Sequence, residues 1–84
     1  MIHTLKIWPQ YFERVRDGSK TFEVRKNDRG FQFGDSLVLR EFDPNEKVES
    51  LAYSGRCLEF SIGYVLPMDG GTCVFSLLPP KDSE

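Results

Sequence analysis

The chain has 84 residues and a formal net charge of −2, with 39% hydrophobic and 13% aromatic residues. So short a chain buries only about 60–65% of its unfolded surface, which suits one modest core and excludes a second domain; seven Phe, three Tyr and one Trp argue against disorder. Residues 1–40 hold eight Lys and Arg against five acids while the remainder carries −5, so a polyanion would meet only a local, salt-sensitive basic face.

"IHTLKI" alternates and predicts a first strand with His3, Leu5 and Ile7 on one face and Thr4 and Lys6 on the other. Pro9 breaks that strand and suits the first position of a short helix, whose apolar stripe is Trp8, Tyr11, Phe12 and Val15. Its place on that stripe favours core packing for Trp8 over a stacking face for a base. Arg14 and Arg16 lie off the stripe as solvated charges, and Gly18 ends the helix in the left-handed conformation.

"GSKTFEVRKND" follows, with Lys20 at the helix-to-strand corner and Thr21, Glu23 and Arg25 on the strand face opposite Phe22 and Val24. "NDRGFQFGD" is rich in turn formers, with Gly34 and Asp35 launching a third strand, "SLVLREF", which Asp43-Pro44-Asn45 terminates. Residues Glu46 to Ser54 read as a long loop. "RCLEFSIGYVL" predicts a strand with Leu58, Phe60, Ile62, Tyr64 and Leu66 on one face, and Gly63 marks a bend or bulge. Pro67 to Gly71 is a hairpin connection, "TCVFSLL" a last strand stopped by Pro79-Pro80, and "KDSE" a frayed tail. The expected architecture is α+β: residues 1–80 form one domain whose five strands close into a small barrel, with one helix between the first two strands. An open sheet with one packed helix is also compatible with the pattern.

Cys57 and Cys73 form no CxxC pair and His3 is the one histidine, so no zinc or other metal is expected, and no cofactor. A lone His at a strand start reads as a surface or capping residue. The N-terminal stretch lacks the pattern of a signal peptide, and nothing approaches the ~18 apolar residues of a membrane span. The expectation is a cytoplasmic protein with reduced cysteines and no membrane partner.

The charged strand admits two readings. In the first, Glu23 and Arg25 form a surface ion pair worth ~0–1 kcal/mol, while Lys20 and Lys26 are solvated. In the second, Lys20, Glu23 and Arg25 converge with Lys6 on a cleft, where the cations hold a phosphate or base carbonyl. Glu23 then accepts from an exocyclic amine or fixes the pose of Arg25.

The run Gly18-x-Lys20-x-x-Glu23-x-Arg25, after a strand and a short helix, resembles the G-x-K-x-x-E-x-R motif of the ASCH family of the PUA-like superfamily. More closely, "HTLKIWPQYFERVRDGSKTFEVRKNDRGFQFGDSLVLREFDP" with the later "YSGR" is similar to a short bacterial and phage branch described as a domain of unknown function. The resemblance implies a small barrel with a helix across a cleft that binds RNA or a nucleotide-like ligand. Lys20, Glu23 and Arg25 would line it, Gly18 and Trp8 would shape it, and Lys6 and Arg40 would contribute from the branch pattern, as would Asn27, Asp28, Arg29 and Tyr53. Some relatives in the superfamily resemble nucleoside amidohydrolases or ribonucleases, which implies Lys20 as base, Thr21 as nucleophile and Glu23 as proton carrier. The amidohydrolase branch, however, carries threonine where this chain has Glu23. A third reading is a protein-interaction accessory factor without a nucleic-acid ligand.

Overall fold

In the computed structural model, which describes residues 1–81, five strands and two short α-helices follow one another, with a 3-10 turn at Asp69–Gly71 before the last strand. They are β1 (Ile2–Ile7), α1 (Pro9–Arg16), β2 (Phe22–Lys26), β3 (Ser36–Phe42), α2 (Glu49–Ala52), β4 (Tyr53–Pro67) and β5 (Thr72–Leu78). The first, third and last strands fall on the stretches that the alternation predicts. Of the tail expected over residues 81–84, residues 82–84 lie outside the described residues.

The strand order is β1-β3-β4-β5-β2, with β1 and β3 parallel and every other pair antiparallel. The sheet curls into a half-barrel. Its two edges, β1 and β2, are not hydrogen-bonded to each other as strands, so the expected barrel stays open along one seam. The chain crosses that seam twice, through α1 on the way from β1 to β2 and through residues 27–35 on the way back to β3.

Alternation decides which side chains fill the concave face. His3, Leu5 and Ile7 of β1, Leu37 and Leu39 of β3, Ile62 of β4 and Cys73 and Phe75 of β5 are all buried, and α1 adds Phe12 and Val15. Phe31 completes this core from the 27–35 crossing, its ring 4.9 Å from that of Phe75 and 4.8 Å from that of His3. His3 is therefore a core residue rather than a surface or capping one. Its Nε2 lies 2.8 Å from Asp35 Oδ2, which ties β1 to the turn entering β3.

The helix ends as its sequence predicts. Pro9 opens it, and Gly18, at φ +84°, lets the chain reverse so that Gly18 N–H donates to Val15 O and Lys20 N–H to Arg14 O. Arg56 pins the helix to the sheet. Its guanidinium lies 4.5 Å from the Phe12 ring centre and donates to Glu13 of α1 and Glu41 of β3. Those bonds lower the pKa of both carboxyls, Glu13 with further help from Arg16 and Glu41 from Ser54.

Three further expectations require correction. The long loop of residues 46–54 contains the single helical turn α2, and β4 already begins at Tyr53, because Ala52 is buried and anchors that segment. The inward stripe of β4 holds for Leu58, Phe60 and Ile62 and then inverts: the register shifts between Ile62 and Val65, leaving Tyr64 and Leu66 outside. The inversion is the bulge expected at Gly63, whose backbone packs so closely on β5 that a Cβ there would collide with Ser76 Oγ. Lastly, Trp8 and Tyr11 are each 46% exposed, so only the Phe12 and Val15 half of the helical stripe reaches the core. Among the described residues no helix is long and apolar enough to cross a membrane.

Candidate functional site

The charged strand has its polarity reversed relative to an ordinary surface strand. Glu23 pairs in register with Phe75 and Arg25 with Cys73, both fully buried on the concave face, so Glu23 and Arg25 point inward. Phe22 and Val24 point out, at 44% and 53% exposure. The expected Glu23–Arg25 ion pair forms, but buried instead of on the surface and joined by Lys20, while Lys26 stands apart as an exposed end residue.

Glu23 is the hub. Its side chain is only 4% exposed. One carboxylate oxygen accepts from Lys20 Nζ, and the other lies 2.8 Å from both Nε and Nη2 of Arg25. A carboxylate this buried is tolerable only with such partners, and it in turn fixes the direction of two long cations. Arg25 Nη2 also donates to Lys6 O at 2.8 Å, and Arg29 Nη1 to Thr4 O at 3.0 Å. Two arginine side chains thus span the seam that backbone hydrogen bonds leave open.

Two adjoining hollows lie along this seam, with Lys6 and Arg25 common to both. The first, about 440 Å³, is lined by Lys6, Ile7, Trp8, Tyr11, Lys20, Glu23, Val24 and Arg25. Its size falls within the range of small-molecule sites. The Trp8 and Tyr11 rings lie nearly parallel, 26° apart with centroids 6.1 Å from each other, and Lys20 Nζ sits 5.9 Å from the Tyr11 ring. The second, about 360 Å³, is lined by Thr4, Leu5, Lys6, Arg25, Arg29, Arg40 and Tyr53. Here the Arg40 guanidinium stacks 3.9 Å from the Tyr53 ring centre, and Lys6 Nζ lies 4.3 Å from that of Phe42. Parallel pairing of Lys6 with Arg40 places both on the convex face of β1 and β3.

The structure therefore brings Lys20, Glu23, Arg25, Lys6 and Trp8 together around the first hollow and adds Arg40 through the second. Gly18 shapes the corner that delivers Lys20. Asn27 and Asp28 line neither hollow, and nor does Thr21, whose carbonyl is engaged by Leu77 N–H. Tyr11 is the residue that sequence reasoning missed: it shares the helical stripe with Phe12, and only the overhang of α1 across the seam separates the two.

The fold and site define a small α+β domain, a curled five-stranded half-barrel with a cationic, aromatic-flanked cleft at its seam. Residues 2–77 match the family described as "Domain of unknown function (DUF3850)", and the chain belongs to that family. It is also similar to the "Uncharacterized 12.9 kDa protein in GpA 3'region" of Escherichia phage P2, with 44% identity over 41 residues. That alignment covers 49% of this chain and 38% of the phage protein, so the chain spans well under half of its relative's length.

Proposed function

We propose that this domain is an ASCH-type, PUA-like module that binds RNA or a nucleotide at the seam cleft, in the reducing cytoplasm. The observation that carries this reading is the buried Glu23 carboxylate, which aims Lys20 and Arg25 into a hollow flanked by the rings of Trp8 and Tyr11. Oriented cations beside aromatic faces are what a single-stranded nucleic acid or a nucleotide requires, since bases stack on rings and phosphates accept from Lys and Arg. Free thiols at exposed Cys57 and buried Cys73 suit a reducing compartment. Binding is favoured over hydrolysis because Thr21 lies outside the cleft and both Glu23 oxygens already accept from cations.

The test is titration of the protein with short oligoribonucleotides and nucleotides at several salt concentrations. Affinity should fall as salt rises and fall further in a folded Arg25→Ala variant. Equal affinity in Arg25→Ala and the parent refutes the reading. Recovery of a stoichiometric protein partner from the native host, without nucleic acid, would favour the interaction alternative.

A further inference from the structure

The two hollows differ in chemistry, and the difference goes beyond a general nucleic-acid cleft. The first has aromatic walls and a carboxylate in its lining, with Lys20 and Arg25 already engaged by Glu23. The lining of the second, among the described residues, has four cations and no acid. Among the described residues, Lys6, Arg29 and Arg40 of that lining form no ion pair, whereas Arg56, Arg14 and Arg16 elsewhere each pair with a carboxylate.

These unpaired cations are held in place by contacts that leave donors available. Arg40 stacks on Tyr53 and Lys6 lies over Phe42, so each is oriented through a ring face and not through its N–H groups. Arg29 uses one Nη1 hydrogen on Thr4 O, and a guanidinium has five in all. Like charges gathered without a counter-ion repel, and a bound anion relieves that repulsion.

We propose that the seam cleft is divided at the bridge from Arg25 to Lys6 O into a base compartment and a phosphate compartment. The base lies beside Trp8 and Tyr11, and Lys6, Arg29 and Arg40 hold the phosphate attached to it. This assignment rests on the nucleotide-binding reading and adds a phosphate subsite built from residues outside the Lys20, Glu23 and Arg25 motif. A free nucleotide and an RNA strand offer the same phosphate chemistry.

The experiment compares the four ribonucleosides, their 5′-monophosphates, a five-nucleotide RNA and inorganic pyrophosphate by calorimetry, using the parent, Trp8→Ala, Lys6→Gln and Arg40→Gln. Trp8→Ala should weaken nucleosides and monophosphates alike, by about tenfold. Arg40→Gln should leave nucleosides unchanged and weaken monophosphates by about tenfold, closing the gap between the two. With RNA, Arg40→Gln should also make the slope of log affinity against log salt shallower by about 0.7, the value for one single-strand phosphate contact. Tighter binding of the oligomer than of any monophosphate identifies a strand as the ligand, and the reverse a free nucleotide.

Nucleotide binding that Arg40→Gln and Lys6→Gln both leave unchanged overturns the phosphate compartment while the nucleotide reading stands. Pyrophosphate binding lost in Arg40→Gln, with no nucleoside, nucleotide or RNA bound, overturns the assignment of that anion site to a nucleotide. No binding of any probe overturns both.

Discussion

Replacing Glu23 by Gln removes one charge with almost no change of shape, at the point where the site and the fold share a residue. The carboxylate is 4% exposed and meets Lys20 and two nitrogens of Arg25. Breaking a fully buried pair costs roughly 3–5 kcal/mol, because the remaining charge stays uncompensated. Here the stranded cations retain 21% and 25% exposure, so water recovers part of that loss and about 2–3 kcal/mol remains. For a domain of this size the melting temperature should fall by about 10–20 °C. Chemical denaturation of the parent, Glu23→Gln, Arg25→Met and the double variant completes a cycle. The double variant should be less destabilised than the sum of the singles by about 1–2 kcal/mol. Affinity for RNA should fall in Glu23→Gln although the cleft becomes more positive, because Arg25 loses its pose rather than its charge. An additive cycle, or a loss below about 0.5 kcal/mol, refutes the view that Glu23 organises the cleft.

Three further outcomes test the frame around the site. The hydrogen bond to His3, followed by the Gln32 N–H, holds the Asp35 carboxyl below its usual range. A depressed folded value stabilises the protein above the unfolded pKa of about 3.9 and is lost as pH falls through the folded value, so Asp35→Asn should flatten the acid limb of a stability-pH curve below about pH 4. An unchanged limb would disprove that coupling. Gly63→Ala should destabilise by about 1–3 kcal/mol in urea, because Ser76 Oγ must swing away and Tyr64 N–H loses its acceptor. Adding Ser76→Gly should recover the steric part of that loss and leave the hydrogen-bond part. Arg56→Met keeps a stem over Phe12 but strands Glu41, whose side chain is 9% exposed, and should lower the urea midpoint in the same measurement.

Much of the fold is legible in the sequence because strand alternation is a local property. β1, β3 and β5 coincide with "IHTLKI", "SLVLREF" and "TCVFSLL", and the glycines at 18 and 63 act where their positions suggest. What was not legible depends on partners distant in sequence. Alternation in "FEVRK" separates two faces without saying which is inside, and hydrophobicity points to the wrong one. The pairing of Glu23 with Phe75 and Arg25 with Cys73 decides it. The helical stripe likewise does not reveal that Trp8 and Tyr11 overhang an open seam, and Phe31 lies in a stretch that reads only as turns. The second compartment was the least visible, since Lys6, Arg29, Arg40 and Tyr53 come from four separate segments. Only the parallel pairing of β1 with β3 and the early start of β4 bring them together.

An open seam is a hazard in a β protein, since unpaired edges invite another strand. Here arginine side chains occupy part of that edge: the Thr4 and Lys6 carbonyls accept from Arg29 and Arg25. A backbone ladder between β1 and β2 would draw the two strands together and leave no cleft, whereas Arg25 reaches β1 from β2 and Arg29 from the 27–35 crossing, and both line the gap with cations. Each bridge also uses only part of its guanidinium, so one arginine can close the half-barrel and still donate to a ligand. Under the proposed binding, affinity and stability share Arg25 and Arg29. A ligand at a hundred times its Kd should stabilise the fold by about 2.7 kcal/mol, and a variant of either arginine weakens both the fold and the site. Among the described residues the Arg40 side chain bridges no carbonyl or carboxylate and rests on Tyr53, so its substitution separates binding from folding more cleanly than that of Arg25.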